Sequence, residues 1–304
     1  CFELSFFRST GVVNMKILKC VGLLAAVLAG SQSFAAQERI GDFNLIDETG
    51  TAHQLSKYGY QKALVVISQA NSCITNQELF GEYRIQQTKW DNEQISFVMM
   101  NSSINDNPAS VRRWKNSYNP DMPILIDDTQ LVAELLGITK AGEIVVLDPN
   151  NMSILYRGPF DTPSRAGQTG TTFLKDTFAA IAADEVSGRD TVVVDFEAPE
   201  SCQLEFPAKI TSADDVPDYE TEVAPVLIEN CVGCHIEGGI GPFAMNSHQM
   251  VQGWSPMMRE VIMTKRMPPM SVDPEIRSFE NARTMSVEDT QTLIHWINAG
   301  APRE

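Results

Sequence analysis

Apolar, β-branched runs alternate with helix-compatible segments between residues 63 and 183, and this alternation most constrains the fold. Ala63 to Ser68 and Ile95 to Met100 are continuous apolar runs, typical of strands that are buried on both faces. Shorter strands are predicted at 124–126, 143–147 and 154–157. Helices are predicted at 75–90, 108–118, 131–136 and 173–183. Strands that alternate with helices predict an α/β sandwich around a partly parallel sheet.

Four short motifs occur in order within this block, which we bound at residues 40–189. They are the Asp42–Asp47 opening, Cys73 after the first long strand, Leu136-Gly137-Ile138, and Leu155-Tyr156-Arg157-Gly158. In these motifs the block resembles the thioredoxin-like fold, and specifically its peroxiredoxin-like redoxin branch. The resemblance implies an α/β thioredoxin-like domain in which Cys73 is the candidate redox thiol.

Cys73 departs from the pattern of the redox-active members of that family. Such members have a proline next to the active cysteine or a second cysteine two residues further on, whereas this chain reads Cys73-Ile74-Thr75-Asn76. They also have a proline before the strand that faces the cysteine, where residues 140–143 here read Lys-Ala-Gly-Glu. A cysteine near a helix N-terminus gains thiolate character, but one thiol cannot run a CxxC exchange cycle. Three roles stay open for Cys73: a redox thiol, a structural thiol, or a disulfide with Cys202.

A second motif with its own chemistry is Cys231-Val232-Gly233-Cys234-His235. C-x-x-C-H is the attachment signature of a c-type haem. Two thiols separated by two residues can bond the two vinyl groups of one porphyrin, and the next histidine becomes the proximal iron ligand. The motif therefore predicts one covalent haem c on Cys231 and Cys234, with its iron held by His235.

The N-terminal stretch has the pattern of an export signal, which covalent haem attachment outside the cytoplasm requires. Met15 to Lys19 is short and basic, Cys20 to Gly30 is apolar but too short to span a bilayer, and Ser33-Phe34-Ala35 fits a cleavage site. We expect residues 1–14 to be an upstream extension and residues 15–35 to be a cleaved signal peptide. The expected location is periplasmic, with no stable membrane anchor after cleavage.

The charge of the chain restricts its partners. The formal net charge is −16, and because residues 1–35 hold a net +2, the remainder holds −18. This acidity argues against nucleic acid as a partner, since binding it needs a basic face. The acidity is compatible with periplasmic redox partners that have basic faces, and also with a simple gain in solubility.

After a polar segment at 190–217, predicted to be a linker, residues 218–304 are predicted to form a small all-α domain. Helices are expected at 219–230, 254–265 and 286–298, and a buried porphyrin would add apolar surface that so small a core lacks. Three runs extend the haem motif: Gly238-Gly239, Arg266-Met267-Pro268-Pro269 and His295-Trp296-Ile297-Asn298-Ala299-Gly300. With them, the segment resembles a monohaem class I-like cytochrome c module, of the type found at the end of secreted redoxin-like proteins.

A six-coordinate electron-transfer haem needs a second axial ligand, for which we select Met267. The two prolines after it stiffen a loop that could hold a thioether at the iron, although methionines more often fill gaps in cores. Similar modules have a tryptophan where this chain has Met270, which leaves Met267 as the methionine shared with the pattern. His248 and His295 are alternatives, whereas His53 lies in the other block. The competing methionines are Met245, Met250, Met257, Met258, Met263, Met270 and Met285.

These features lead to a ranked expectation of function. The first is a periplasmic c-type cytochrome that transfers one electron through a single haem, with the thioredoxin-like block used for docking and with donor and acceptor sharing one exposed haem edge. The second is a thiol or peroxide oxidoreductase that couples Cys73 to the haem. The third is a five-coordinate haem sensor or peroxidase.

Overall fold

The computed structural model describes residues 39–162, 170–186, 191–269, 280 and 283–303. The expected upstream extension and signal peptide lie outside these residues, and so does Met270. Among the helices within them, none is long and apolar enough to cross a bilayer.

In the described residues, eight strands form one mixed sheet in the order β2-β1-β5-β4-β3-β6-β7-β8. The strands are β1 Asn44–Asp47, β2 Ala52–Gln54, β3 Ala63–Gln69, β4 Ile95–Asn101, β5 Ile124–Ile126, β6 Ile144–Asp148, β7 Ser153–Gly158 and β8 Val192–Val193. β3 pairs in parallel with β4, β4 with β5, and β7 with β8, while the other pairs are antiparallel. The prediction of a partly parallel sheet in an α/β fold is confirmed.

The two faces of the sheet are covered by different helices. The helices of this block are α1 Ile74–Trp90, α2 Pro108–Tyr118, α3 Leu131–Leu136 and α4 Phe173–Ala182. Side chains of α1, α2 and α4 form the core on one face, for example Tyr83, Trp114 and Phe178. α3 covers the other face. Every residue of β3 is buried, as its unbroken apolar run predicts for a strand covered on both sides.

The segment between the two predicted domains contains a helix that the sequence analysis did not predict. α5 Pro207–Asp214 lies inside the expected linker 190–217 and begins with a proline, which the first turn of a helix tolerates because its amide needs no partner there. Gln130 donates from its side-chain amide to the carbonyls of Ser102 and Glu205. The segment is thereby tied to the sheet block before α5 starts.

The C-terminal part is helical, as expected. α6 Ala224–Leu227 has a π-helical segment on each side, at Tyr219–Val223 and Ile228–Val232. The next helices are α7 His248–Met263 and α8 Val287–Asn298. α7 starts six residues before its predicted start and contains Pro256. The Ser286 hydroxyl accepts the Asp289 amide and caps α8, as predicted.

The C-terminal helices pack both on one another and on the sheet. Their own apolar cluster consists of Val223, Leu227, Val251, Met258, Leu293, Trp296, Ile297 and Ala301. In addition, Met263 of α7 and Ile294 of α8 belong to the core that covers the α3 face of the sheet. The structure therefore does not show a separate all-α domain, because this helical part shares a core with the α/β block.

Candidate functional site

Cys73 lies at the junction of β3 and α1 and is bonded to a distant cysteine. It occupies the N-cap position of α1, and its sulfur forms a disulfide with Cys202, with an S–S distance of 2.06 Å across a sequence separation of 129 residues. Both cysteines are fully buried. Of the three roles that the sequence left open for Cys73, the structure holds it in the disulfide.

Cys202 lies in the connector, the segment 190–217 between the two predicted domains. The connector backbone is hydrogen-bonded to residues 139–141, beside the disulfide. The Ala141 amide donates to the Cys202 carbonyl at 2.8 Å, and Leu204 donates to Thr139 at 3.3 Å. Residue 141 belongs to the stretch where redox-active relatives are expected to have a proline. Because proline has no amide hydrogen, it could not make the bond from position 141 to Cys202. The missing proline is thus matched by a backbone contact that holds the connector over the disulfide.

The second cysteine pair lies at the end of the helical run that starts at Tyr219, and both thiols are free. The amides of Cys234 and His235 both donate to the Cys231 carbonyl, at 3.1 and 3.0 Å, so the chain closes a turn that places the three side chains together. Burial raises the pKa of the Cys231 thiol to about 11, with a smaller contribution from neighbouring Cys234. Cys231 is therefore a neutral thiol at physiological pH.

His235 is buried and oriented by a backbone carbonyl. Its Nδ1 lies 3.1 Å from the Phe243 carbonyl oxygen. Since a carbonyl can only accept, Nδ1 donates to it, and in the neutral ring the lone pair of Nε2 is then available for a metal. A Cβ on Gly241 would lie 2.7 Å from Nδ1, so only glycine allows the loop to pass this close behind the ring. The loop fixes both the orientation and the tautomer of His235.

Cys231, Cys234 and His235 line one mainly apolar cavity of about 240 Å³. Its other described lining residues are Asn230, Ile240, Gly241, Pro242, Phe243, Met245, Met257, Met258, Val261, Ile262, Met267, Pro268, Pro269, Arg283 and Met285. Two free thiols, an imidazole with a free Nε2 and apolar walls fit the requirements of a covalently attached porphyrin. Within the described part of the chain, there is no group of three or more His, Cys, Asp or Glu side chains that could hold a metal ion.

The cavity separates the candidates for the second axial ligand. Met267 lines it and is 39% exposed, and its amide donates to the Val261 carbonyl at 3.1 Å. Met245, Met257, Met258 and Met285 line it as well, whereas Met250 and Met263 do not. The structure thus places Met267 on the same cavity as His235, together with four other methionines.

The other histidines are occupied elsewhere and do not line the cavity. His248 Nε2 lies 3.0 Å from the Ala301 carbonyl oxygen. His295 uses both ring nitrogens, with Nδ1 3.0 Å from the Ser212 hydroxyl and Nε2 3.1 Å from the Glu134 carboxylate. His53 lies between Asp47 and Tyr58 in the β1–β2 region. The His295–Glu134 contact, which joins α8 to α3, has no sequence signal because the two residues are 161 positions apart.

The mixed sheet, with Cys73 at the junction of β3 and α1, has the architecture of a thioredoxin-like redoxin. A sequence model described as the AhpC/TSA family matches residues 36–197, which is more than half of the chain. The chain belongs to this family. The matched segment ends before Cys202, and the Cys231–His235 motif also lies outside it.

Comparison with solved structures finds similarity over about half of the chain. A hypothetical protein from Sinorhizobium meliloti is 20% identical with a TM-score of 0.45, covering 53% of this chain and 92% of that one. Peroxidoxin BcpB from Mycobacterium tuberculosis is 19% identical with a TM-score of 0.38, covering 49% and 96%. A thiol:disulfide interchange protein of the thioredoxin family from Chlorobium tepidum is 15% identical with a TM-score of 0.37, covering 50% and 99%. A search of curated proteins finds no match.

Proposed function

We propose that this protein is a one-electron carrier in which a redoxin-family block is joined to a helical segment that binds one haem c. One observation supports this most strongly: two free thiols and a histidine held through its Nδ1 by a backbone carbonyl line the same apolar cavity. The redoxin block would serve as a docking and positioning scaffold, because its own cysteine is sealed in a buried disulfide.

Each residue has a defined role in this proposal. The S–H bonds of Cys231 and Cys234 would each add across one vinyl group, with sulfur going to one carbon and hydrogen to the other. His235 would give its Nε2 lone pair to the iron, and Met267 would supply the second axial ligand. When bound, the haem iron would cycle between Fe(III) and Fe(II) and so exchange a single electron.

The proposal includes location and partners. The N-terminal export pattern supports a periplasmic location after cleavage of residues 15–35. The net charge of −18 after residue 35 supports partners with basic faces, because opposite charges accelerate the encounter of two proteins.

Haem attachment is tested by producing the protein in a host that matures c-type cytochromes and staining for haem after denaturing electrophoresis. The wild type and a Cys73→Ser/Cys202→Ser control should both keep haem through denaturation. A Cys231→Ser/Cys234→Ser variant should lose it, since it has no thiol to bond the vinyl groups. A wild-type protein without covalent haem would refute the proposal.

The second axial ligand is tested separately by optical spectroscopy. The methionine–iron charge-transfer band should disappear in Met267→Ala and persist in Met257→Ala, which removes another methionine from the same cavity. If the wild type lacks the band and its ferrous form binds CO readily, the haem is five-coordinate and the sensor or peroxidase alternative is favoured.

A second candidate function follows from the family and from the position of Cys73 at the start of α1. A reduced Cys73 thiolate could attack a peroxide, releasing an alcohol or water and forming a sulfenic acid, which Cys202 would resolve to the disulfide with loss of water. An external dithiol would then reduce the disulfide. Peroxide turnover that depends on Cys73 and Cys202 but not on Cys231 and Cys234 would favour this function over electron carriage.

A further inference from the structure

We propose that Trp254 provides an electron entry point on the histidine side of the haem site, separate from the mouth of the cavity. The inference rests on the proposed haem site and goes beyond it by identifying a route and a surface. It concerns the rings of Trp254, Phe243 and His235, which connect the exposed side of α7 to the haem site.

The three rings contact one another in sequence; the first pair is stacked and the second is tilted. The Trp254 and Phe243 rings lie 4.6 Å apart between centroids, with an angle of 18° between their planes. The Phe243 and His235 rings lie 4.7 Å apart, at 50°. Phe243 is also the residue whose carbonyl accepts the Nδ1 hydrogen of His235, so the same residue orients the histidine and contacts its ring.

Trp254 reaches the protein surface at a different place from the cavity. It is 39% exposed and does not line the cavity, whereas Phe243 and His235 do. Met250, one helical turn earlier on α7, is 41% exposed. Ile240, by contrast, lines the cavity and is 90% exposed. Exposed apolar side chains therefore lead to His235 by two routes, one through the cavity and one through Trp254 and Phe243.

Contact between conjugated rings favours electron transfer through this series of rings. Transfer rates fall steeply with the width of the gaps that an electron must cross, and rings at these centroid distances leave van der Waals gaps only. A single electron would move from an external one-electron donor through Trp254, Phe243 and the His235 ring to the iron. No bond is formed or broken and no proton moves. The sequence pattern predicted that donor and acceptor share one exposed haem edge. With this second route, they can use two different surfaces.

The test attaches a ruthenium–polypyridyl photosensitiser to one introduced thiol on the haem-loaded protein. Met250→Cys places the label beside Trp254, and Ile240→Cys places it at the cavity mouth as the matched control. In the protein cleaved after residue 35, Cys1 and Cys20 are gone, Cys73 and Cys202 are paired, and Cys231 and Cys234 would be bonded to haem. The introduced thiol is therefore the labelling site. After a laser flash, the photoexcited label donates one electron, and transient absorption gives the rate constant of iron reduction.

With the label at position 250, Trp254→Leu should lower the rate constant by about an order of magnitude, and Trp254→Phe should restore most of it. With the label at position 240, neither substitution should change it. The haem spectrum and midpoint potential of Trp254→Leu, measured without a label, should match the wild type. Two results would overturn the inference while leaving the haem proposal intact. One is that, with the label at position 250, Trp254→Leu reduces the iron as fast as the protein with Trp254. The other is that Trp254→Leu lowers the rate constant equally with the label at either position. Absence of attached haem would instead overturn both.

Discussion

The two cysteine pairs of this protein show how differently one residue type is used in two regions of a single chain. Cys73 and Cys202 are 129 residues apart, fully buried and bonded to each other. Cys231 and Cys234 are three residues apart, half-buried and free. The distant pair is closed by the tertiary fold, whereas the local pair is held open beside a cavity.

The difference arises from what surrounds each pair. Cys73 and Cys202 pack against Ala70 and Ala141, and the connector backbone covers them. Cys231 lies in the π-helical segment Ile228–Val232 and Cys234 just after it, and both line the apolar cavity. The first pair is therefore suited to stabilising the fold and the second to reacting with a ligand. Four measurements can break or sharpen this contrast.

The largest expected effect is on stability. Replacing the distant pair in Cys73→Ala/Cys202→Ala should lower the free energy of unfolding by about 2–4 kcal/mol, since the disulfide closes a long loop in the unfolded chain. Cys231→Ala/Cys234→Ala should change it by less than about 1 kcal/mol, because no cross-link is lost. Urea unfolding of the haem-free proteins measures both. Equal losses from the two double variants would remove the contrast.

The α/β block, which contains Cys73, also contains a buried acid, Asp127, whose ionisation opposes folding. Burial raises its pKa to about 6, against the hydrogen bonds donated by the Ala133 amide, the Ser102 hydroxyl and the Val132 amide. The raised pKa adds stability that is complete below the unfolded pKa of about 4 and is lost as pH rises through about 6. Asp127→Asn cannot ionise, so its stability relative to the wild type should rise by about 3 kcal/mol between pH 4 and pH 7.

Urea unfolding at each pH measures this difference. The Asn side chain can still accept from one amide and donate to the Ser102 oxygen, which keeps the packing of the site. A stability difference between Asp127→Asn and the wild type that is flat across this pH range would mean that Asp127 is not perturbed by burial.

Around the cavity lined by Cys231 and Cys234, the next largest effect on stability is expected from Gly241, which lies close to His235. Gly241→Ala would place a Cβ 2.7 Å from His235 Nδ1 and 3.0 Å from the Cys234 carbonyl. It should lower stability by about 1–3 kcal/mol and alter the spectrum of the attached haem. Gly253→Ala in α7 is the control, since a Cβ there meets nothing within 4 Å, and it should raise stability by about 0.5–1 kcal/mol. If Gly241→Ala changes neither the stability nor the haem spectrum, the loop can move away from His235.

The smallest effect is on thiol reactivity in the haem-free protein. Because burial raises the Cys231 pKa to about 11, its thiolate fraction, and so its rate of alkylation by iodoacetamide, should rise roughly tenfold per pH unit between pH 7 and 9. Cys73 and Cys202 should not be alkylated until the disulfide is reduced. Peptide mass spectrometry resolves the individual sites. A pH-independent rate at Cys231 would indicate a thiol that is already ionised.

Local sequence patterns predicted most of the fold. The unbroken apolar run of β3 requires cover on both faces, and Pro108 marks the start of α2 because its missing amide suits a first turn. The same reasoning failed for α5, whose polar, proline-containing sequence is typical of a linker. That helix is held by a tertiary contact, since its Ser212 hydroxyl meets His295 of α8. Local propensity cannot report such a contact.

By itself, the sequence determined the elements whose chemistry depends on short spacing: the alternating strands and helices, the Cys231–His235 motif, and the glycine-rich loop after it. These follow from contacts within a few residues, which fixed backbone periods make readable. Only the tertiary structure decided the fate of Cys73, the protonated nitrogen of His235, and which methionines share the cavity with it. Each of those depends on groups brought together by packing, for instance Cys202 from 129 residues away, and no local pattern encodes that distance.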